Sequence, residues 1–96
     1  MVVVDFSHDI TYFLREAIVM SISAYVFIEC APRAARDVVK EAMKIQGVKR
    51  ANSTTGPYDV IALIEAPDIN TLGNVIVTEL QGLPGVRRTQ TNVISD

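Results

Sequence analysis

Two short segments of this 96-residue chain recur, in the same order. Ile28-Glu29-Cys30-Ala31-Pro32 is echoed by Ile64-Glu65-Ala66-Pro67, and Gly47-Val48-Lys49-Arg50 by Gly85-Val86-Arg87-Arg88. Positions 28 and 64 differ by 36, and positions 47 and 85 by 38. Near-equal offsets for two separate echoes point to one supersecondary unit used twice. The length leaves room for one domain holding two such units, with a single modest core that a subunit partner would help to stabilise.

Each unit reads strand, helix, strand. Residues 22–29 alternate, with Ile22, Ala24, Val26 and Ile28 on one face and Ser23, Tyr25, Phe27 and Glu29 on the other. Pro32 suits the first turn of a helix, in which Ala35, Val38, Val39, Ala42 and Met43 recur at helical spacing. Lys44 falls in its last turn, and Gly47 is placed to terminate it. Residues 48–54 are mostly polar and read as a less buried strand. In the second unit residues 58–65 form an aliphatic strand, and Asp68 is placed to cap the next helix. Leu72, Val75, Ile76, Glu79 and Leu80 follow at helical spacing, until Gly82, Pro84 and Gly85 stop it. Residues 86–94 form the last strand. The order β-α-β-β-α-β is the split-βαβ, ferredoxin-like pattern of an α+β fold: an antiparallel sheet with both helices on one face.

That arrangement leaves one sheet face without helices. Tyr25 and Phe27 lie on it. The third strand adds either Tyr58, Val60, Ala62 and Ile64 or Asp59, Ile61, Leu63 and Glu65. Both sets are mostly apolar, and an apolar face left open would be a large exposed patch. The expectation is a dimer closed through the sheets. The alternative is that these residues line an ordinary core edge.

Residues 1–20 stand outside the repeat as an N-terminal extension, and residues 21–96 form the domain. Ser7 is placed to cap a helix in which Ile10, Phe13, Leu14, Ala17 and Ile18 make one apolar stripe. One reading is an oligomerisation arm. The other is a start-site extension, with Met20 as a natural start.

Composition closes several functional classes. Net charge is −2, without the basic excess of a non-specific nucleic-acid binder. One His and one Cys cannot make a Cys/His metal site within a single chain, and no disulfide framework is possible. No apolar run is long enough to span a membrane, and no signal peptide is evident. The expected setting is the cytoplasm. Hydrolase, metalloprotease, dithiol and phosphate-loop motifs are absent. His8 lies in the extension, and Cys30 ends a strand with no His near it in sequence, so no catalytic residue, metal site or cofactor is expected.

The most distinctive stretch is Asn52-Ser53-Thr54-Thr55-Gly56-Pro57-Tyr58-Asp59, which joins the two halves. Its hydroxyls, its Gly-Pro turn and its carboxylate include groups able to hold the two ends of a free amino acid. A plain polar hairpin turn explains the same string. The pairs Lys49-Arg50 and Arg87-Arg88 read either as a small anion patch or as a solvated strand rim.

Thr55-Gly56-Pro57-Tyr58-Asp59, followed by residues 60–64 and then Ala66-Pro67-Asp68, resembles the T-G-x-Y-D motif of the C-terminal domain of the Lrp/AsnC family. Residues 42–50 resemble that family's helix and its Gly-Val lead-in to the second strand. Leu83-Pro84-Gly85-Val86-Arg87-Arg88-Thr89 resembles its lead-in to the last strand. The resemblance spans residues 22–94. It implies a ferredoxin-like fold that dimerises through its sheets and assembles into octamer-like rings. It also implies an amino acid or similar small effector held between dimers, and a role in regulating amino acid metabolism. Thr55, Gly56, Tyr58 and Asp59 match the effector-loop positions. Family regulators carry a DNA-binding winged helix-turn-helix ahead of this domain, whereas about twenty residues precede it here. The chain thus resembles the stand-alone (RAM) form, which would not bind DNA directly and would partner full-length Lrp/AsnC regulators. Pro57 departs from a donor-bearing loop because it lacks an N–H. Two other classes stay open: a small dimeric α+β barrel enzyme, such as a cofactor-free oxygenase or isomerase, and a purely structural assembly module.

Overall fold

A computed structural model describes residues 21–95; the proposed N-terminal extension lies outside the described residues. The first expected strand forms as β1 (Ile22–Cys30), with Ala24, Val26 and Ile28 fully buried and Tyr25 exposed. Helix α1 (Ala35–Ala42) follows, then β2 (Val48–Ser53) and β3 (Val60–Ala66). Helix α2 (Ile69–Val75) runs into a wider turn at Ile76–Leu80, where Gln81 N–H donates to Ile76 O at 2.8 Å. Strand β4 (Val86–Val93) is the last described element. All pairings are antiparallel, in the order β2-β3-β1-β4. This is the α+β, ferredoxin-like arrangement expected from the repeat.

The core lies between the sheet and the helices. Val38 and Ala42 of α1 and Leu72, Ile76 and Leu80 of the second helix are buried against Val26, Ile28, Val60, Ala62 and Ile64. Asp68 caps α2 as expected, with Oδ1 accepting from Thr71 N–H at 2.7 Å. That backbone bond also holds its carboxyl below the usual carboxylate range. Gly73 is an exposed residue inside α2, and an added Cβ there would meet nothing. Gly73→Ala is therefore expected to raise stability by roughly 0.5–1 kcal/mol, read as a higher denaturant midpoint at unchanged slope.

Two local expectations shift. Pro32 is not in the helix. It takes the second place of a turn closed by Ala34 N–H to Ala31 O at 3.0 Å, whose third place is Arg33 at φ 66°. A proline followed by a left-handed residue is the pattern of a type II turn, and α1 starts after it. The helix also ends at Ala42, before Met43 and Lys44, and Met43 is exposed.

The repeated Gly-Val-basic-basic segments have one structural meaning. Val48 N–H donates to Ile45 O and Val86 N–H to Leu83 O, each at 3.1 Å, with Gly47 at φ 99° and Gly85 at φ 92° in the third place. Both turns need a residue that accepts positive φ. Each glycine carbonyl then accepts at 2.8 Å from the other half of the molecule: Gly47 O from Glu65 N–H, and Gly85 O from Ala31 N–H. Immediately afterwards each strand slips by one residue. Val48 and Arg50 oppose Ile64 and Leu63, so Lys49 is the extra residue; Val86 and Arg88 oppose Cys30 and Glu29, so Arg87 is.

Candidate functional site

The connection between the halves is tied at its base and open at its tip. Thr54 N–H donates to Asp59 O at 2.9 Å, and Thr54 Oγ1 to Tyr58 O at 2.6 Å. Asp59 N–H donates to Ile28 O at 2.9 Å, and Asp59 Oδ2 accepts from Cys30 N–H at 2.8 Å. These bonds fasten the loop to the end of β1, where the ladder would otherwise leave Cys30 N–H unpaired. Thr55, Gly56 and Pro57 project beyond them and are exposed.

Of the four residues singled out in the sequence, Thr55 and Gly56 lie at the tip, and Tyr58 and Asp59 in the base. Gly56 is not at a positive φ, and a Cβ there would meet nothing within 4 Å. The turn itself therefore does not require glycine at that position. Tyr58 and Asp59 diverge. The Tyr58 ring tilts against Phe27, with centroids 5.2 Å apart, and its hydroxyl donates to Gln90 Oε1 at 2.7 Å. Asp59 turns to the β1 backbone. Burial first, and the Asp59 carboxylate second, push the Cys30 thiol above its ordinary range, so the thiol stays protonated at neutral pH. The Asp59–Cys30 tie was invisible in the sequence because its partners are 29 residues apart.

The sheet face turned away from the described helices is now defined. Val60, Ala62 and Ile64 point to the helices, so Ile61, Leu63 and Glu65 join Tyr25 and Phe27 on the open face. Tyr58 extends this band through Phe27. Two cross-strand ion pairs flank the band, Lys49–Glu65 at 3.4 Å and Arg88–Glu29 at 3.1 Å. The basic pairs are thus partly spent within the chain. Among the described residues no cluster of three or more His, Cys, Asp or Glu is placed to hold a metal, and no helix is long and apolar enough to cross a membrane.

Residues 23–96 match the model of the Lrp/AsnC ligand binding domain. Among curated proteins the chain is 27% identical over 74 residues to an uncharacterised HTH-type transcriptional regulator of Pyrococcus abyssi, covering 77% of this chain and 47% of that protein. It is 28% identical over 74 residues to the HTH-type transcriptional regulator LysM of Sulfurisphaera tokodaii, covering 76% and 52%. The chain spans about half the length of these relatives. Among solved structures, TTHA0845 from Thermus thermophilus superposes with a TM-score of 0.74 at 29% identity, covering 78% of this chain and 94% of that one. The transcriptional regulator NMB0573 of Neisseria meningitidis, in complex with L-Met, shares the fold with a TM-score of 0.74 at 18% identity, covering 84% and 54%. With the family model spanning nearly the whole described fold, the chain belongs to the Lrp/AsnC ligand binding domain family.

Proposed function

We propose that this domain binds a small effector, an amino acid or a metabolite of similar size, at the Thr55–Asp59 loop, and that binding changes how dimers assemble. The observation that carries this reading is the loop's build. Its base is hydrogen-bonded to β1 while its tip stands clear, which suits a contact made with something outside the fold. The L-Met complex of a regulator with this fold supports an amino acid as the ligand class. A second copy covering Tyr25, Phe27, Ile61 and Leu63 supplies the dimer, and loops from neighbouring dimers meet to form a closed, octamer-like assembly. The effector biases that assembly only through its different affinity for the two states. The domain's output is regulation of transcription, reached through full-length Lrp/AsnC regulators in the cytoplasm, without direct DNA contact.

Two substitutions test the loop. Asp59→Asn keeps an oxygen to accept from Cys30 N–H but removes the charge that pairs with an effector's ammonium. Gly56→Ala adds one methyl where the fold has space. Both are expected to leave the thermal midpoint nearly unchanged and to weaken effector binding in calorimetry, Asp59→Asn by about tenfold or more because a charge-assisted pair contributes about 1.5–3 kcal/mol, and Gly56→Ala because the added methyl stands where the effector approaches the loop tip. Unchanged affinity in both variants would remove this loop from the binding site.

A further inference from the structure

On the open face the two halves of the repeat place their second basic residue opposite different partners. Arg88, the residue after the β4 bulge, stands opposite Glu29 and pairs with it at 3.1 Å. Its counterpart after the β2 bulge, Arg50, stands opposite Leu63. Glu65 is the next carboxylate along β3, and it is bonded to Lys49 at 3.4 Å. Among the described residues no carboxylate lies within ion-pair distance of Arg50. Glu29 and Glu65, the acids that β1 and β3 place on this face, are therefore already paired within the chain, and Arg50 is a cation left over on it.

Arg50 lines a pocket of about 210 Å³ with Tyr25, Asn52, Thr54, Ile61 and Leu63. Ile61 and Leu63 make part of the lining aliphatic and Tyr25 makes part of it aromatic, Asn52 adds a side-chain amide, and the only charge among the lining residues is positive; the Thr54 hydroxyl proton is already given to Tyr58 O. We propose that this pocket is a second ligand site, for a small carboxylic acid that carries a short aliphatic tail and no α-ammonium group. The guanidinium takes the carboxylate, and Ile61 and Leu63 take the tail. An α-amino acid is disfavoured because no lining residue carries the negative charge that would offset its ammonium beside Arg50.

The site rests on the sheet-to-sheet dimer proposed above. A second copy laid over this face would take Arg50 out of water. An unpaired guanidinium resists that burial, and a bound carboxylate removes the resistance. Ligand and dimer are then linked: the acid tightens the dimer, and the dimer tightens the acid to the same extent.

The probe is isovalerate, a carboxylate on a short branched aliphatic tail. Its neutral isostere isovaleramide and the amino acid valine are the controls, with calorimetry and light scattering as readouts on the full chain. Wild type is expected to bind isovalerate at least tenfold more tightly than either control, with the dimer shifted to lower protein concentration. Arg50→Met is expected to lose that preference and to dimerise more tightly than wild type without ligand. Asp59→Asn is expected to keep it. A dimeric wild type that binds neither acid nor amide, or binds them equally, overturns the proposal whatever the variants do. So does an Arg50→Met protein that binds isovalerate like wild type. A monomeric wild type that still prefers isovalerate through Arg50 would remove the dimer reading and support the pocket.

Discussion

Gly85→Ala is expected to destabilise the domain by about 2–4 kcal/mol, through a left-handed backbone and an overpacked contact together. Gly85 sits at φ 92°, and an added Cβ would lie 2.7 Å from the Ala34 Cβ, at the junction of the β4 turn with α1. Neither partner can swing away, because both are the first atom of a side chain. In a domain of this size a loss of that order lowers the melting midpoint by roughly 10 °C or more. Gly47→Ala repeats the test in the other half, where the Cβ would meet the Glu65 carbonyl oxygen at 2.9 Å. Gly56→Ala is the control that should melt like wild type. A Gly85→Ala protein with a wild-type midpoint would contradict the assignment of these turns.

The second large effect concerns the open face. Leu63→Lys places a second cation beside Arg50, among Tyr25 and Ile61, on a face that none of the described helices covers. The isolated fold is expected to survive, because residue 63 is only half-buried and its buried neighbours Ala62 and Ile64 point the other way. Self-association is expected to weaken by a hundredfold or more, about 2.7 kcal/mol. In a two-fold dimer each substitution counts twice, and a second unpaired cation buried beside Arg50 at an apolar interface is costly. Sedimentation of the variant against wild type reads this directly. A Leu63→Lys protein that associates as tightly as wild type would place the interface elsewhere.

Much of this architecture was legible because local and global signals agree. The alternation around Val26 and Ile28 placed β1, and the spacing of Leu72, Ile76 and Leu80 placed the second helix. The echo at residues 47–50 and 85–88 showed the internal repeat, and its physical content is one device used twice: a positive-φ turn, a cross-half carbonyl contact and a one-residue slip. What the sequence withheld depends on register. Alternation alone left open whether Val60 or Ile61 faces the helices, since a slip of one residue exchanges the two faces. Pairing with β1 and the helices above it decide for Val60. The start of α1 was misplaced because Pro32 serves a helix turn and a type II turn equally well, and the positive φ of Arg33 leaves no trace in residue type. At the loop, residue types suggested Thr54 and Asp59 as ligand groups, but not that the Thr54 hydroxyl is committed to Tyr58 O and one Asp59 oxygen to Cys30 N–H.

The central claim is that a small effector acts on the assembly of a sheet-closed dimer. Light scattering coupled to size exclusion, run on the full chain alone and with each of the twenty amino acids, tests it most directly. The account predicts a dimer that one or a few amino acids convert to a larger closed assembly. A strict monomer under every condition, with the open face of Tyr25, Phe27, Ile61 and Leu63 left in water, would contradict it.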